Sequence, residues 1–123
     1  MIIGSQARIL VVENDPDAAL FAAHVLTTRG RFDVTCTADL VHALHLAATG
    51  TWDLVLTELD LPHVSGLDLL RALRELAPGV PIVVLTARPL TADGADPVYG
   101  LADICLEKPI PVDRLMTAVT ALL

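Results

Sequence analysis

Positive charge is scarce in this sequence: eight Lys and Arg stand against fifteen Asp and Glu, a formal net charge of −7 at pH 7. A sequence-independent grip on nucleic acid needs clustered Lys and Arg, so direct nucleic-acid binding is not expected. No basic amphipathic stretch suits a membrane surface. Long apolar runs are missing too, because Ile82-Val83-Val84-Leu85 and its like are far too short to cross a bilayer. The start, MIIGSQAR, lacks a signal peptide's charged opening and long apolar middle. Cysteine is limited to Cys36 and Cys105, both inside strand-like runs. They read as buried, reduced thiols of a cytoplasmic protein, with a bridge between them left open. Repeats, linkers and low-complexity segments are absent, so residues 1–123 read as one compact domain.

What is there is apolar patterning, 54% hydrophobic residues against 19% charged, enough to bury a core. The run Ala7 to Val12 reads as a buried strand ending at Glu13-Asn14-Asp15, with Asp15 as N-cap and Pro16 in the first turn of a helix. Ala19, Leu20, Ala23, Val25 and Leu26 fit helical spacing up to Gly30. A strand over Asp33 to Thr37 follows, then a helix capped by Asp39, with Leu40, Ala43, Leu44 and Ala47 on one face and Gly50 as its stop.

The centre of the chain is TWDLVLTELDLPHVSGL, Thr51 to Leu67. Its apolar run reads as a strand buried on both faces, closed by Thr57 and Glu58. Pro62 stops that strand, and Ser65 is placed to cap a helix from Gly66 to Ala77 with Asp68 in its first turn. Ile82 to Thr86 and Ile104 to Leu106 supply two more strands, and Val112 to Leu122 a last helix with Leu115, Met116, Val119 and Leu122 inward. Strands alternating with helices imply a doubly wound parallel α/β sheet, and right-handed crossovers favour the order 2-1-3-4-5. One crossover breaks the rule. Gly94, Pro97 and Gly100 oppose a helix between the fourth and fifth strands, Pro by about 3 kcal/mol and Gly by about 1. A loop from Arg88 to about Asp96 and one short turn from Pro97 are expected instead, so the helix there is short or replaced.

That topology brings Glu13, Asn14, Glu58, Thr86 and Lys108 to one edge, at the carboxyl ends of the strands. Oxygen ligands around a carboxylate suit a hard cation such as Mg²⁺. A hydroxyl and an ammonium opposite them suit the oxygens of a phosphoryl group, and a carboxylate attacking phosphorus gives an acyl phosphate.

With these residues in view, the sequence resembles the receiver domain of bacterial two-component response regulators. The likeness rests on ILVVENDPD (Ile9 to Asp17), DLVLTELDLPHVSG (Asp53 to Gly66), PIVVLTA (Pro81 to Ala87) and LEKP (Leu106 to Pro109). It implies a flavodoxin-like fold and a signalling module rather than an enzyme. It also implies Mg²⁺-dependent phosphoryl transfer from a histidine kinase and a relay to an effector protein. The phosphoacceptor position falls on Glu58, with Thr86 and Lys108 beside it. The metal positions fall on Glu13, Asn14, Glu58 and the backbone carbonyl of Asp60.

The departures decide the reading. Glu58 stands where the resemblance implies aspartate, and its extra methylene moves the carboxylate about 1.5 Å outward. Misplacement by about 1 Å costs on the order of a hundredfold in an in-line transfer. Asn14 replaces a carboxylate, which weakens Mg²⁺. Cys105 stands where a rotating aromatic ring is implied. The longer arm of Glu58 is expected to reach Lys108 and Thr86 directly, giving an atypical, phosphorylation-independent receiver that acts by protein–protein contact. The alternative is a working Mg²⁺-dependent phosphoacceptor using Glu58, or Asp60, whose side chain is expected to point away. His42 and His45, three residues apart, are read as a solvated helix face, and His24 and His63 as surface residues. An FMN site is disfavoured because acidic ENDPD follows the first strand.

Overall fold

The fold is described from a computed structural model, over residues 6–89 and 97–123. Five strands form one parallel sheet in the order β2-β1-β3-β4-β5. They are β1 (Arg8–Val12), β2 (Asp33–Thr37), β3 (Leu54–Glu58), β4 (Ile82–Thr86) and β5 (Ile104–Glu107). The helices are α1 (Pro16–Thr28), α2 (Leu40–Thr49), α3 (Gly66–Leu76) and α4 (Val112–Leu122). Between β4 and β5 the described residues carry a single 3-10 turn, Pro97–Gly100. It begins at the residue that opposes a helix there, as expected; the expected loop falls largely on residues 90–96, outside the described residues.

Because side chains alternate along a strand, each central strand feeds two cores. Leu10, Val12, Val55 and Val84 pack with α2 and α3, and the buried Val98 of the 3-10 turn joins them. Ile9, Val11, Leu56 and Val83 pack with α1 and α4. Every residue of β3 and β4 is buried, so the strand that ends in Glu58 is fixed from both sides.

Three expectations are corrected. Leu20 is 70% exposed, while Ala22, Val25 and Leu26 form the buried stripe of α1. At 100° per residue, Leu20 lies about 200° from Ala22 and cannot share its face. Ser65 occupies the N-cap of α3 without a side-chain cap bond, and Asp68 pairs with Arg71 (3.3 Å) and closes no capping box. Cys36 is exposed and Cys105 half-buried, since they lie on β2 and β5 at the sheet's two edges. Four strand spacings of about 4.8 Å separate those edges, far beyond the roughly 7 Å that a disulfide spans between Cα atoms. The bridge left open by the sequence is excluded within one molecule.

The loop after β3 is held by a close backbone approach. A Cβ on Gly66 would lie 2.7 Å from the carbonyl oxygen of Leu59, so the first turn of α3 can only sit against this loop with glycine there. At the opposite end of the sheet, Arg74 of α3 donates to the carbonyl of Leu101 (2.8 Å), the carbonyl of Val80 (3.2 Å) and the carboxylate of Asp103 (2.8 Å). Asp103 in turn accepts from the backbone N–H of Ile82 at 2.7 Å. This staple fixes where β4 and β5 begin.

Candidate functional site

In a parallel sheet all carboxyl ends lie at one edge, and that edge collects the candidate residues. Glu13 directly follows β1, and its backbone N–H extends the ladder by donating to the carbonyl of Thr37 at 3.0 Å. Glu58 is the last residue of β3. Lys108 directly follows β5 and is fixed by its backbone N–H to the carbonyl of Thr86 at 2.7 Å. The carboxylates are nearly sealed from solvent, Glu13 at 3% and Glu58 at 5% exposure.

Lys108 holds both of them. Its ammonium Nζ donates to Oε1 and Oε2 of Glu13 (3.1 and 2.9 Å) and to Oε2 of Glu58 (2.9 Å). An ammonium has three donors, and three carboxylate oxygens face them. The fourth oxygen, Oε1 of Glu58, accepts from the backbone N–H of Asn14 at 3.3 Å, and Oε1 of Glu13 accepts also from Asp15 N–H at 3.2 Å. Among the described residues, every buried side-chain nitrogen and oxygen has a hydrogen-bond partner.

Two carboxylates against one ammonium leave this cluster a net negative charge, and the imbalance falls on Glu13. Burial raises its pKa, the Lys108 hydrogen bond and Asp15 N–H pull it back, and the Glu58 charge raises it further, for a net rise above the ordinary glutamate value. Burial alone would lower the Lys108 pKa, but its hydrogen bonds to Glu13 and Glu58, together with their charges, outweigh that and raise it.

The structure brings together Glu13, Glu58 and Lys108 as the topology requires. It separates the others. Asn14 is exposed and meets Glu58 through its backbone. Thr86 is fully buried, and its hydroxyl donates not to Glu58 but to Oδ2 of Asp60 at a long 3.4 Å, while accepting from Arg88 N–H at 3.0 Å. The expectation that Glu58 reaches Thr86 is therefore corrected, and so is the expectation that Asp60 points away. Leu59 and Leu61 are buried on either side of Asp60, which turns the exposed Asp60 toward the rim beside Thr86. The sequence reading does not place Lys108 on Glu13; the lysine follows β5, three strands from β1, and its long arm spans that distance.

Among the described residues no three His, Cys, Asp or Glu come together as a metal-ion site. His42 and His45 are both exposed, and His42 Nδ1 lies 3.0 Å from the hydroxyl of Thr37.

The sequence matches the response regulator receiver domain family over residues 9–120. It is 35% identical over 118 residues to the transcriptional regulatory protein TcrA of Mycobacterium tuberculosis, covering 96% of this chain and 46% of TcrA. To the DNA-binding response regulator MtrA of Mycolicibacterium smegmatis it is 41% identical over 117 residues, covering 93% of this chain and 49% of MtrA. The chain thus spans about half the length of these curated relatives. The receiver domain of the sensor histidine kinase PA1611 of Pseudomonas aeruginosa, solved with a magnesium ion in its active site cleft, superimposes with a TM-score of 0.83 at 28% identity, covering 96% of this chain and 98% of that one. From the first buried strand to the last helix, then, the chain belongs to the response regulator receiver domain family of two-component signalling.

Proposed function

We propose that this receiver domain works without phosphorylation, as an interaction module whose signalling edge is held in one state by Lys108. The observation that carries this reading is the clamp: Lys108 Nζ lies 2.9 Å from both Glu58 and Glu13, so the acceptor carboxylate is engaged from within. Glu58 is further from aspartate in reach than in charge, and its longer arm is what brings it to the ammonium. Mg²⁺ binds weakly in this reading. The lysine charge faces the oxygens of Glu13 and Glu58 that a cation would need, and Asn14 contributes no carboxylate.

The partner is a histidine kinase or a downstream effector met by protein–protein contact. Direct nucleic-acid contact is not part of the reading, given the net charge of −7. No helix among the described residues is long and apolar enough to cross a membrane, and we place the module in the cytoplasm as a single domain.

A second reading, a working phosphoacceptor at Glu58 or Asp60, is favoured by one contact, the Thr86 hydroxyl on Asp60. Intact-mass spectrometry after incubation with Mg²⁺ and acetyl phosphate separates the two. We expect no phosphoryl adduct on the native chain and one adduct on the Asn14→Asp, Glu58→Asp double variant. An adduct on the native chain, lost in Glu58→Gln or Asp60→Asn, would establish the second reading instead.

A further inference from the structure

Beside the clamp, on its α1 side, lies a cavity of about 600 Å³. Its floor is apolar and buried, made by Ala22, Leu85 and Leu115. The walls are Phe21 of α1 and Pro109-Ile110 of the β5–α4 loop, and the polar groups at its rim are Asp15, Asp17 and Lys108. Cavities of roughly 300–1,000 Å³ with an apolar lining and a few convergent polar groups are typical of small-molecule sites. The floor belongs to the sheet and two helices, so the cavity exists before anything enters it.

The rim sets the chemistry of the occupant. Lys108 has its donors on Glu13 and Glu58, so it offers little to an anion. Asp15 and Asp17 add two carboxylates, and Oδ1 of Asp15 already caps α1 by accepting from Asp17 N–H at 3.1 Å. Glu13 and Glu58 thus engage the Lys108 ammonium, and the Asp15 and Asp17 carboxylates remain at the cavity rim. An anionic ligand is repelled, a neutral apolar one gains only burial, and a cationic apolar one gains both. We propose that this cavity binds an amphipathic amine, its apolar body on Ala22, Leu85 and Leu115 and its cation at the Asp17 rim. Lys108 lines the cavity and also holds the acidic pair, so occupancy at one reaches the other without a covalent step.

The test is a titration followed by amide ¹H–¹⁵N shifts with three probes sharing one ring: naphthalen-1-ylmethylamine, naphthalen-1-ylmethanol and naphthalene-1-acetate. We expect the amine to give saturable shifts at Ala18, Phe21, Ala87 and Ile110. The acetate should bind about tenfold or more weaker, the equivalent of roughly 1.4 kcal/mol. Asp17→Asn should weaken the amine several-fold and leave the alcohol unchanged. Ala18→Phe, a filling substitution on a half-buried helix position, should abolish all shifts at these residues. Ala87→Leu fills the cavity from the other side should Ala18→Phe fail to fold. Equal binding of the three probes overturns the proposal, because it marks a charge-blind seat such as a partner's apolar side chain would use. Shifts that are absent, that map elsewhere, or that survive both filling variants also overturn it.

Discussion

Lys108 is the single side chain on which the acidic edge depends. Replacing it with Met leaves two nearly sealed carboxylates without a counter-charge, and removing one partner of a buried pair costs about 3 kcal/mol or more. Glu58→Gln removes the excess negative charge and keeps one acceptor for Lys108, but its NH2 then faces the Asn14 N–H, so its cost should be smaller, about 1 kcal/mol. Urea denaturation of the two variants checks the contrast; equal losses would mean that the ammonium does not hold the cluster together. Glu13 supplies the pH dependence. Its folded pKa is raised, so the folded state binds more protons than the unfolded state just above the ordinary glutamate value. Its contribution is fully present below that value and is lost as pH rises through the folded pKa. Stability of the native chain relative to Glu13→Gln should therefore fall as pH rises across this window, measured as the difference in denaturation midpoints. A difference that grows with pH there would contradict the raised pKa. The charged partners of this site were legible as strand-end residues. That Lys108 holds Glu13 as well as Glu58 was not, because a flexible four-carbon arm has several carboxylates within reach and only the packed geometry fixes its contacts.

At the level of elements, the apolar runs of β1, β3 and β4 made those strands legible, and Asp15 and Asp39 cap their helices as read. Leu20, grouped with its neighbours by helical spacing, falls off the buried stripe of Ala22, Val25 and Leu26, and Ser65 holds the N-cap position without making its side-chain bond. The start of α3 is the element with least tolerance. Gly66→Ala sets a methyl 2.7 Å from a backbone carbonyl that cannot rotate away, and overpacking of this kind costs about 1–3 kcal/mol. The loop carrying Asp60 must shift as well, so the variant should both lose stability and move the amide resonances of residues 59–65. Native stability in Gly66→Ala would show that the loop yields freely.

For the whole molecule, the alternation of side chains across a five-stranded sheet fixes two cores and one functional edge, and this much followed from spacing alone. The state of that edge did not, since it depends on distances of a few tenths of an ångström. A ligand that binds only the folded chain stabilises it by RT ln(1 + [L]/Kd), about 0.4 kcal/mol when its concentration equals Kd. Millimolar Mg²⁺ should therefore shift the native denaturation midpoint by less than this and should stabilise the Asn14→Asp, Glu58→Asp variant by more. A clear Mg²⁺ stabilisation of the native chain would place a competent cation site beside the clamp.

The Arg74 staple has a consequence for how this molecule can diverge. Because α3 and β4 hold the residues just before β5, the return strand takes its position from its neighbours. Lys108, four residues beyond the start of β5, inherits that position. The last turn of the crossover, where Val98 enters the core and Leu101 meets Arg74, must therefore keep its place for the lysine to be delivered there.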